Sequence, residues 1–318
     1  MANVVDVLNK KIKETKAPIV VGLDPVLGEI PDCYKEKYSN MENKFEAIAN
    51  ILFDFNKDII DVACKLVPAV KPQIAFYEMY GSWGMIAFEK TVKYAKEKGL
   101  IVIGDAKRND IGNTAAAYAK AFLGKVDVGS GVEVPSYDVD FLTVSPYLGS
   151  DSLDPFISEC EKNGKGVFIL VKTSNPKSGD IQDKVDENGN KIYENIATYI
   201  EKESEKFETE TGYSPIGAVV GATYPEQSIG LRKIMKKNIF LVPGYGAQGA
   251  SASDICGNFN EDGLGAIVNS SRGIIFAYKK VCDKAVCTKE QYMESVEKAI
   301  DSMKTEILNA LAQKGINY

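Results

Sequence analysis

The sequence predicts an α/β fold of the (β/α)8 TIM-barrel class with loop insertions. Eight short apolar, β-branched runs alternate with longer segments, most of which have helical spacing. The runs are continuously apolar, which is typical of parallel strands buried on both faces. Nearly every run is followed at once by polar, glycine or proline residues, as at the barrel face where loops build a site. An open, doubly wound sheet is the alternative, and the polar strand ends favour the barrel.

Each predicted element follows from a local pattern. The spacing of apolar residues predicts helices over 44–64, 115–123 and 194–207, and an amphipathic helix over about 289–311. Short apolar runs that are bounded by turn-forming or polar residues predict the strands. The eight strand candidates, in chain order, are residues 19–23, 69–70, 100–104, 141–144, 167–171, 216–220, 239–242 and 266–268.

The chain is longer than the ~250 residues of a typical barrel of this kind. Two segments rich in turn-forming residues, 124–137 and 177–190, account for part of the extra length and are interpreted as loop insertions. We expect residues 1–318 to form a single barrel domain, with the helix at about 289–311 packed on the barrel.

The composition excludes several mechanisms and partners. The 318 residues contain no histidine, which removes Ser-His, Cys-His and His-metal chemistry. A net charge of −6 argues against a dominant basic surface for nucleic acid. The cysteines form no C-x-x-C pair, the first residues lack a signal-peptide pattern, and no apolar run approaches the ~20 residues of a membrane span. We therefore expect a cytoplasmic protein without a metal, nucleic-acid or membrane partner.

The most informative segment, 104–114, begins where the third strand ends. Residues two apart on an extended chain point to the same side, so Asp105 and Lys107 can face one site. Asp110 follows at the junction between loop and helix. Aspartates on both sides favour the ammonium form of a lysine, which can donate a proton and stabilise a carbanion. The alternative is a surface salt bridge, with Asp110 capping a helix that begins at Ile111.

Two further charged residues end neighbouring strands. Asp24 follows the first strand and Lys71 the second, on the same face by barrel geometry. Together with the three charges after the third strand they form a row of alternating sign. Such a row is costly to assemble unless the protein uses it, although an ordinary ion pair at the barrel rim is the alternative for these two residues.

Two glycine-containing turns predict an anion site. Residues 243–250 follow the seventh strand, and residues 269–274 follow the eighth and open a helix. Barrel phosphate sites often lie after these two strands, where backbone N–H groups and a helix N-terminus face the anion. Arg272 can add bidentate contacts, and Gln248 can add a neutral donor. Either turn alone is a weak signal, and the pair at this position is a stronger one.

Together these segments resemble the orotidine 5′-phosphate decarboxylase family. The run from Asp105 to Thr114 is similar to the active-site signature of that family, and the other motifs occur in the family's order over about residues 18–280. The resemblance is closest to the longer bacterial and protozoan-like branch. The other motifs are Val21-Gly22-Leu23-Asp24-Pro25, Lys71-Pro72-Gln73-Ile74-Ala75-Phe76-Tyr77-Glu78, Val171-Lys172-Thr173-Ser174-Asn175-Pro176, the Gly-Tyr-Gly-Ala-Gln turn and the Asn-Ser-Ser-Arg-Gly turn.

The resemblance implies conversion of orotidine 5′-phosphate to UMP and carbon dioxide in de novo pyrimidine biosynthesis, without a metal or organic cofactor. Lys107 would protonate C6 of the pyrimidine after carbon dioxide leaves. Asp105 would lie beside the departing carboxylate, and Lys71 would hold Asp105 and the ribose hydroxyls. Asp110 and Thr114 would reach into the site of a partner subunit, which implies a homodimer.

The resemblance also implies contacts along the rest of the nucleotide. Asp24 would bind the ribose, and so would Gln73, although many relatives have His or Asn at its position. Thr173 or Ser174 would contact the pyrimidine, with Ser174 favoured. The turn at 243–250 would close over the phosphate. The implied substrate-binding residues are Asp24, Gln73, Thr114, Thr173, Ser174, Pro243, Gln248, Gly249, Arg272 and Gly273.

Two other functions compete with this interpretation. A sugar-phosphate barrel enzyme, such as a hexulose-phosphate synthase-like aldolase or decarboxylase, shares Asp-x-Lys-x-x-Asp but relies on Mg²⁺. The Thr-Ser pair after the fifth strand and Gln248 favour a pyrimidine nucleotide instead. A catalytically silent nucleotide-binding protein would have a broken charge row, whereas all five charged residues are present here.

Overall fold

Eight parallel strands close into a barrel in the computed structural model, which describes residues 3–246 and 249–317. The order around the barrel is β1-β10-β9-β8-β7-β6-β3-β2, which confirms the predicted fold class, and every predicted strand lies in it. Two short antiparallel strands form a separate hairpin. The strands are β1 (Ile19–Leu23), β2 (Ala69–Pro72), β3 (Ile101–Arg108), β4 (Val126–Asp127), β5 (Glu133–Val134), β6 (Phe141–Val144), β7 (Gly166–Lys172), β8 (Ser214–Val220), β9 (Asn238–Val242) and β10 (Ala266–Ser270).

Helices connect consecutive barrel strands, and no helix in the described part of the chain combines the length and apolar character of a membrane span. The predicted helices at 44–64, 115–123 and 194–207 are present with slightly shifted ends. The helices are α1 (Val4–Thr15), α2 (Lys44–Ala63), α3 (Ala75–Glu78), α4 (Gly81–Glu97), α5 (Gly112–Phe122), α6 (Asp154–Asn163), α7 (Gly179–Gln182), α8 (Ile192–Ser204), α9 (Pro225–Ile234), α10 (Ala252–Ile255), α11 (Arg272–Ile275) and α12 (Lys289–Gln313).

The barrel interior is a packed core and is closed at its amino-terminal end. Alternate strand residues such as Val20, Phe141 and Phe168 point inward and belong to one apolar cluster. Leu8 and Ile12 of α1 belong to the same cluster and are fully buried, so α1 covers that end of the barrel. The opposite end, where the strands finish, is therefore the end that can hold a site.

The last helix packs on the outside of the barrel. It begins after Thr288, whose hydroxyl accepts from the Gln291 N–H while the Gln291 side chain accepts from the Thr288 N–H, a reciprocal cap. Tyr292 is fully buried, and its ring contacts those of Tyr34 and Phe55. The apolar face predicted from the sequence at 289–311 thus faces the second helix of the barrel.

Both predicted insertions contain regular structure, which the prediction of plain loops missed. Within 124–137, Val126 pairs with Val134 and Asp127 with Glu133 to form the β4–β5 hairpin. Within 177–190 lies the single turn of α7. Their turn-rich composition concealed these pieces, because a two-residue ladder and a four-residue helix are too short to give a periodic signal.

Candidate active site

A pocket of about 450 Å³ opens at the carboxyl ends of the barrel strands. Its charged side consists of the ends of β2 and β3, and its floor is apolar. Most lining residues lie near or just beyond a strand end, so the barrel closure brings these distant parts of the chain together. The pocket is lined by Lys71, Asp105, Lys107, Thr143, Leu170, Thr173, Ser174, Asn175, Gln182, Val219, Leu241 and Pro243.

Asp105 accepts four side-chain hydrogen bonds at this pocket. Its Oδ2 accepts from Lys71 Nζ at 2.6 Å and from Gln73 Nε2 at 3.0 Å. Its Oδ1 accepts from Lys107 Nζ at 2.6 Å and from Thr143 Oγ1 at 3.0 Å. The Asp105 side chain is only 10% exposed, so charge-assisted bonds of this length hold it in one orientation. The predicted pairing of Asp105 with both lysines is present.

Lys107 reaches this position through an irregular backbone. Its φ of +47° lies in the left-handed region, which is unusual for a residue with a side chain. The register between β3 and β6 shifts between Gly104 and Arg108, so the strand bulges here. Thr143 Oγ1 accepts from the N–H of Ala106 at 3.0 Å and of Lys107 at 2.9 Å. Asp105 and Lys107 face one site as expected. The extended backbone assumed for Lys107 is wrong, because the strand bulges there and Thr143 fixes the bulge.

The charges of Lys71 and Asp105 stabilise each other. Burial alone would raise the pKa of the Asp105 carboxyl, but the ammonium groups of Lys71 and Lys107 hold that pKa well below its usual value. Burial would lower the pKa of Lys71, yet the carboxylates of Asp105 and Asp24 raise it above its usual value. Both groups are therefore charged at neutral pH.

Asp24 completes the charge row with an unused acceptor. Its carboxylate lies close enough to Lys71 to act on the charge of that ammonium. Its Oδ1 is buried and has no hydrogen-bond partner in the structure. A buried acceptor without a partner is costly in the free protein, and a ligand hydroxyl would satisfy it.

Gln73 contacts the charged cluster rather than the open pocket. Besides donating to Asp105, it accepts from the Ala75 N–H at 3.3 Å through Oε1. Both ends of its amide are thus engaged within the chain. The expected ribose contact of Gln73 remains a prediction.

The residues expected at the pyrimidine both line the pocket. Thr173 and Ser174 follow β7, and Pro243 follows β9 across the pocket. Leu170, Val219 and Leu241 form apolar surface beneath them. This part of the pocket suits a flat ring that packs on the apolar side chains and turns one polar edge towards Thr173 and Ser174.

The residues expected at the phosphate lie farther out. Gly249 is exposed, and the base of its turn is closed by the bond from Gly246 N–H to Ala250 O at 2.9 Å. Arg272 and Gly273 are exposed at the start of α11, and neither is among the residues that line the pocket. Gln248 lies outside the described residues.

Asp110 and Thr114 do not join the charged cluster of their own chain. Asp110 Oδ1 accepts from the Ile111 N–H at 2.8 Å, and Thr114 is exposed on the first turn of α5. Since α5 begins at Gly112 with Ile111 at its N-cap position, the alternative of Asp110 as the helix cap is wrong. Among the described residues, the Lys107 side chain forms an ion pair with Asp105, and no ion pair joins it to Asp110 of the same chain. The expected place of Asp110 in the site of a partner subunit remains a prediction.

Sequence reasoning missed several lining residues. Thr143 was hidden within an apolar strand, although it is the one polar residue of β6. Gln182 and Asn175 lie in or beside a segment interpreted as an insertion. Nowhere in the described chain do three or more Cys, Asp or Glu side chains form a group that could hold a metal ion.

Comparison with known proteins identifies the family of this chain. The protein-family model of the orotidine 5′-phosphate decarboxylase / HUMPS family matches residues 19–283. The orotidine 5′-phosphate decarboxylase of Rhodopirellula baltica is 43% identical over 300 residues, which cover 94% of this chain and 97% of that protein. That of Clostridium tetani is 40% identical over 314 residues, covering 98% of this chain and 99% of that protein.

A solved structure gives the same result. The crystal structure of a candidate orotidine 5′-phosphate decarboxylase from Streptomyces avermitilis superposes with a TM-score of 0.77 at 30% identity, covering 98% of this chain and 97% of that one. The resemblance seen in the motifs is confirmed, and the chain belongs to the orotidine 5′-phosphate decarboxylase family.

Proposed function

We propose that this protein is a carboxy-lyase that converts orotidine 5′-phosphate to UMP and carbon dioxide by direct decarboxylation. The observation that carries the proposal is the Lys107 ammonium, 2.6 Å from Asp105 at the edge of the pocket. Curated relatives of near-equal length with the same named activity support it. The step belongs to de novo pyrimidine biosynthesis.

The charge pattern suits a reaction that develops negative charge on carbon. When the bond to the carboxylate breaks, its electron pair remains at C6 of the pyrimidine in an orbital that the ring delocalises poorly. An ammonium fixed beforehand beside C6 stabilises this pair without reorganising during the reaction. Lys107 Nζ then gives its proton to C6, the C–H bond forms, and the amine regains a proton from water.

Asp105 and Lys71 hold Lys107 in place for this step. Lys71 is 4% exposed and Asp105 is 7% exposed, so water does not loosen their contact. The substrate carboxylate would approach beside Asp105, and carbon dioxide would leave there. Asp24, whose buried Oδ1 has no partner, would accept from a ribose hydroxyl. The Gln73 N–H donates to the carbonyl of Leu23, the residue before Asp24, so Gln73 would lie near the same ribose.

The phosphate supplies binding energy far from C6. Pro243 and Gly249 belong to one of the two turns that would surround it, and Arg272 and Gly273 to the other. Gln248 would add a neutral donor from the first turn. Energy from this remote contact can close the turn over the nucleotide and exclude water from the charge row.

We also propose that the active form is a homodimer. Neither Asp110 nor Thr114 lines the pocket of its own chain, although the resemblance places both in a substrate site, and Ile111 between them is 56% exposed. In a twofold dimer each chain would offer these residues to the other's site. The six free thiols are consistent with action in the reducing cytoplasm.

The test is an assay of the purified protein with orotidine 5′-phosphate in the presence of EDTA, following the loss of the substrate's ultraviolet absorbance. We expect conversion to UMP at the same rate with and without the chelator. Conversion despite the chelator would exclude the Mg²⁺-dependent sugar-phosphate enzyme, whereas no conversion would leave that alternative open. No conversion by the folded protein under either condition would refute the proposal, and binding of UMP without turnover would indicate a silent nucleotide-binding protein.

A further inference from the structure

The segment 177–190, which the sequence suggested was a plain insertion, contributes to the active-site pocket. Gln182, the last residue of α7, lines the pocket next to Thr173 and Ser174. It is half-buried, whereas its neighbour Ile181 is 53% exposed. The segment therefore directs one polar side chain inward and leaves the adjacent apolar one in solvent.

Gln182 binds Thr173 at two points. Its Oε1 accepts from the Thr173 N–H at 3.0 Å, and its Nε2 donates to Thr173 Oγ1 at 2.9 Å. Thr173 Oγ1 in turn donates to Asn175 Oδ1 at 2.7 Å. The hydroxyl proton and the backbone N–H of Thr173 are thus both used within the chain, so neither of these donors is available to a substrate.

Ser174 is held from its other side and keeps its hydroxyl free. A Cβ at Gly221 would lie 2.8 Å from the Cα and N of Ser174, so only glycine permits this close packing. Thr223 Oγ1 donates to the Ser174 carbonyl at 3.3 Å. Within the described residues, the Ser174 hydroxyl has no hydrogen-bond partner. It lies at the pocket wall with its backbone fixed, as a contact for a polar ring edge requires.

The segment that carries Gln182 is itself anchored to the barrel. Lys172, the last residue of β7, is fully buried and donates to Asp183 Oδ1 at 2.8 Å. Its Nζ also lies 4.5 Å from the ring centroid of Tyr224. A charge buried to this extent is stable only when paired, so the bond to Asp183 fixes the residue directly after Gln182.

We propose that Gln182 is a positioning residue for recognition of the pyrimidine. Acting through Thr173, it fixes the turn after β7 so that the Ser174 hydroxyl meets the polar edge of the base. It makes no contribution to binding of the phosphate, which lies at the turns after β9 and β10. This inference rests on the proposed function, because the base is the pyrimidine of that substrate.

The test compares two ligands that share the phosphate end. Dissociation constants for UMP and for ribose 5-phosphate are measured by calorimetry with wild type and with Gln182→Ala. We expect the UMP constant and the KM for orotidine 5′-phosphate to rise by about tenfold, the size of one lost hydrogen bond, with kcat changed far less. The constant for ribose 5-phosphate should not change. Equal weakening of both ligands, or of neither, would overturn the role of Gln182.

Two further variants separate positioning from damage to the fold. Ile181→Ala, in the same turn, should bind both ligands as wild type does. Thr173→Val combined with Gln182→Ala should weaken UMP binding no more than Gln182→Ala alone, because the two residues act through one contact. A larger loss in the double variant than in Gln182→Ala would contradict the proposal. If Gln182→Ala fails to fold, Gln182→Asn, which is too short to reach both atoms, takes its place.

Wild-type turnover is measured first and separates the two proposals. If the wild type does not convert orotidine 5′-phosphate, the proposed function fails. If it does, and Gln182→Ala binds UMP as tightly as wild type, only the role of Gln182 is refuted.

Discussion

The hydroxyl of Thr143 accepts a 2.9 Å hydrogen bond from the backbone N–H of Lys107, at the point where β3 adopts a left-handed conformation. The same oxygen accepts from the Ala106 N–H and donates to Asp105, so its capacity is filled. One threonine thus fixes both the backbone of the proposed proton donor and the carboxylate beside it.

Replacing this hydroxyl should impair catalysis and stability together. Thr143→Val keeps the side-chain shape but leaves two N–H groups without their acceptor, and we expect a loss of about 2 kcal/mol in the free energy of unfolding. With the bulge no longer held, kcat should fall by roughly tenfold or more, since one catalytic group is misplaced. Urea unfolding and steady-state kinetics measure the two effects. Thr143→Ser, which retains the hydroxyl, should stay close to wild type, and equal losses in both variants would contradict this account.

Lys107→Ala should abolish turnover while leaving the fold intact. The variant loses both the proton donor and the fixed positive charge, which together correspond to roughly a 10⁴-fold or greater loss in kcat. The Lys107 side chain is about half exposed, so the thermal midpoint should change little. Circular dichroism and the ultraviolet assay test both parts, with the surface variant Lys298→Ala as control. Turnover within tenfold of wild type would mean that another group donates the proton.

The loss of stability at acid pH, measured as the fall in the free energy of unfolding, should depend on Asp105. The pKa of Asp105 is lower in the folded state than in the unfolded state. Its ionised carboxylate therefore adds to the free energy of unfolding above the unfolded pKa of about 4, and this stabilisation is lost as the pH falls through the folded pKa. The effect of Lys71 has the opposite dependence on pH. Because the pKa of Lys71 is raised in the folded state, its ammonium stabilises the fold below the unfolded pKa of about 10.4, and this stabilisation is lost as the pH rises through the folded pKa.

In Asp105→Asn, the free energy of unfolding should therefore change less with pH below about pH 4 than it does in the wild type. At pH 7 the substitution should also cost about 3 kcal/mol, because Lys71 stays buried without its closest partner. Urea unfolding at pH 3 to 7 gives the comparison. Asp32→Asn, which removes a half-buried carboxylate bonded to Lys35, should cost under about 1 kcal/mol. An unchanged loss of stability at acid pH in the Asp105 variant would show that other carboxylates set it.

Mixing two inactive variants tests the shared site. In a homodimer whose sites combine Lys107 of one chain with Asp110 of the other, Lys107→Ala and Asp110→Asn homodimers are both impaired. Subunit exchange should restore about a quarter of wild-type activity, because about half of the dimers are mixed and each has one intact site. If unmixed Asp110→Asn is fully active, or if mixing restores nothing although mixed dimers form, the shared arrangement is wrong.

The barrel could be predicted because each strand is a local apolar run, and the Asp105–Lys107 pair because the two residues lie two apart in one motif. The role of Thr143 could not be predicted, because it depends on the pairing of β3 with β6. That pairing sets Ile103 opposite Phe141 and brings the threonine beside the bulge. The role of Gln182 could not be predicted from the sequence for a related reason. Its partner Thr173 follows a different element, and an amide in a turn-rich segment carries no signal of the residue it will bind.

The closed amino-terminal end of the barrel also bears on how products leave. In the described residues, α1 covers that end and apolar side chains fill the barrel interior. Under the proposed function, carbon dioxide would therefore leave through the same opening that admits the nucleotide. Release of the gas and release of UMP would then share one route, and the order in which they leave would determine how often the reverse carboxylation occurs.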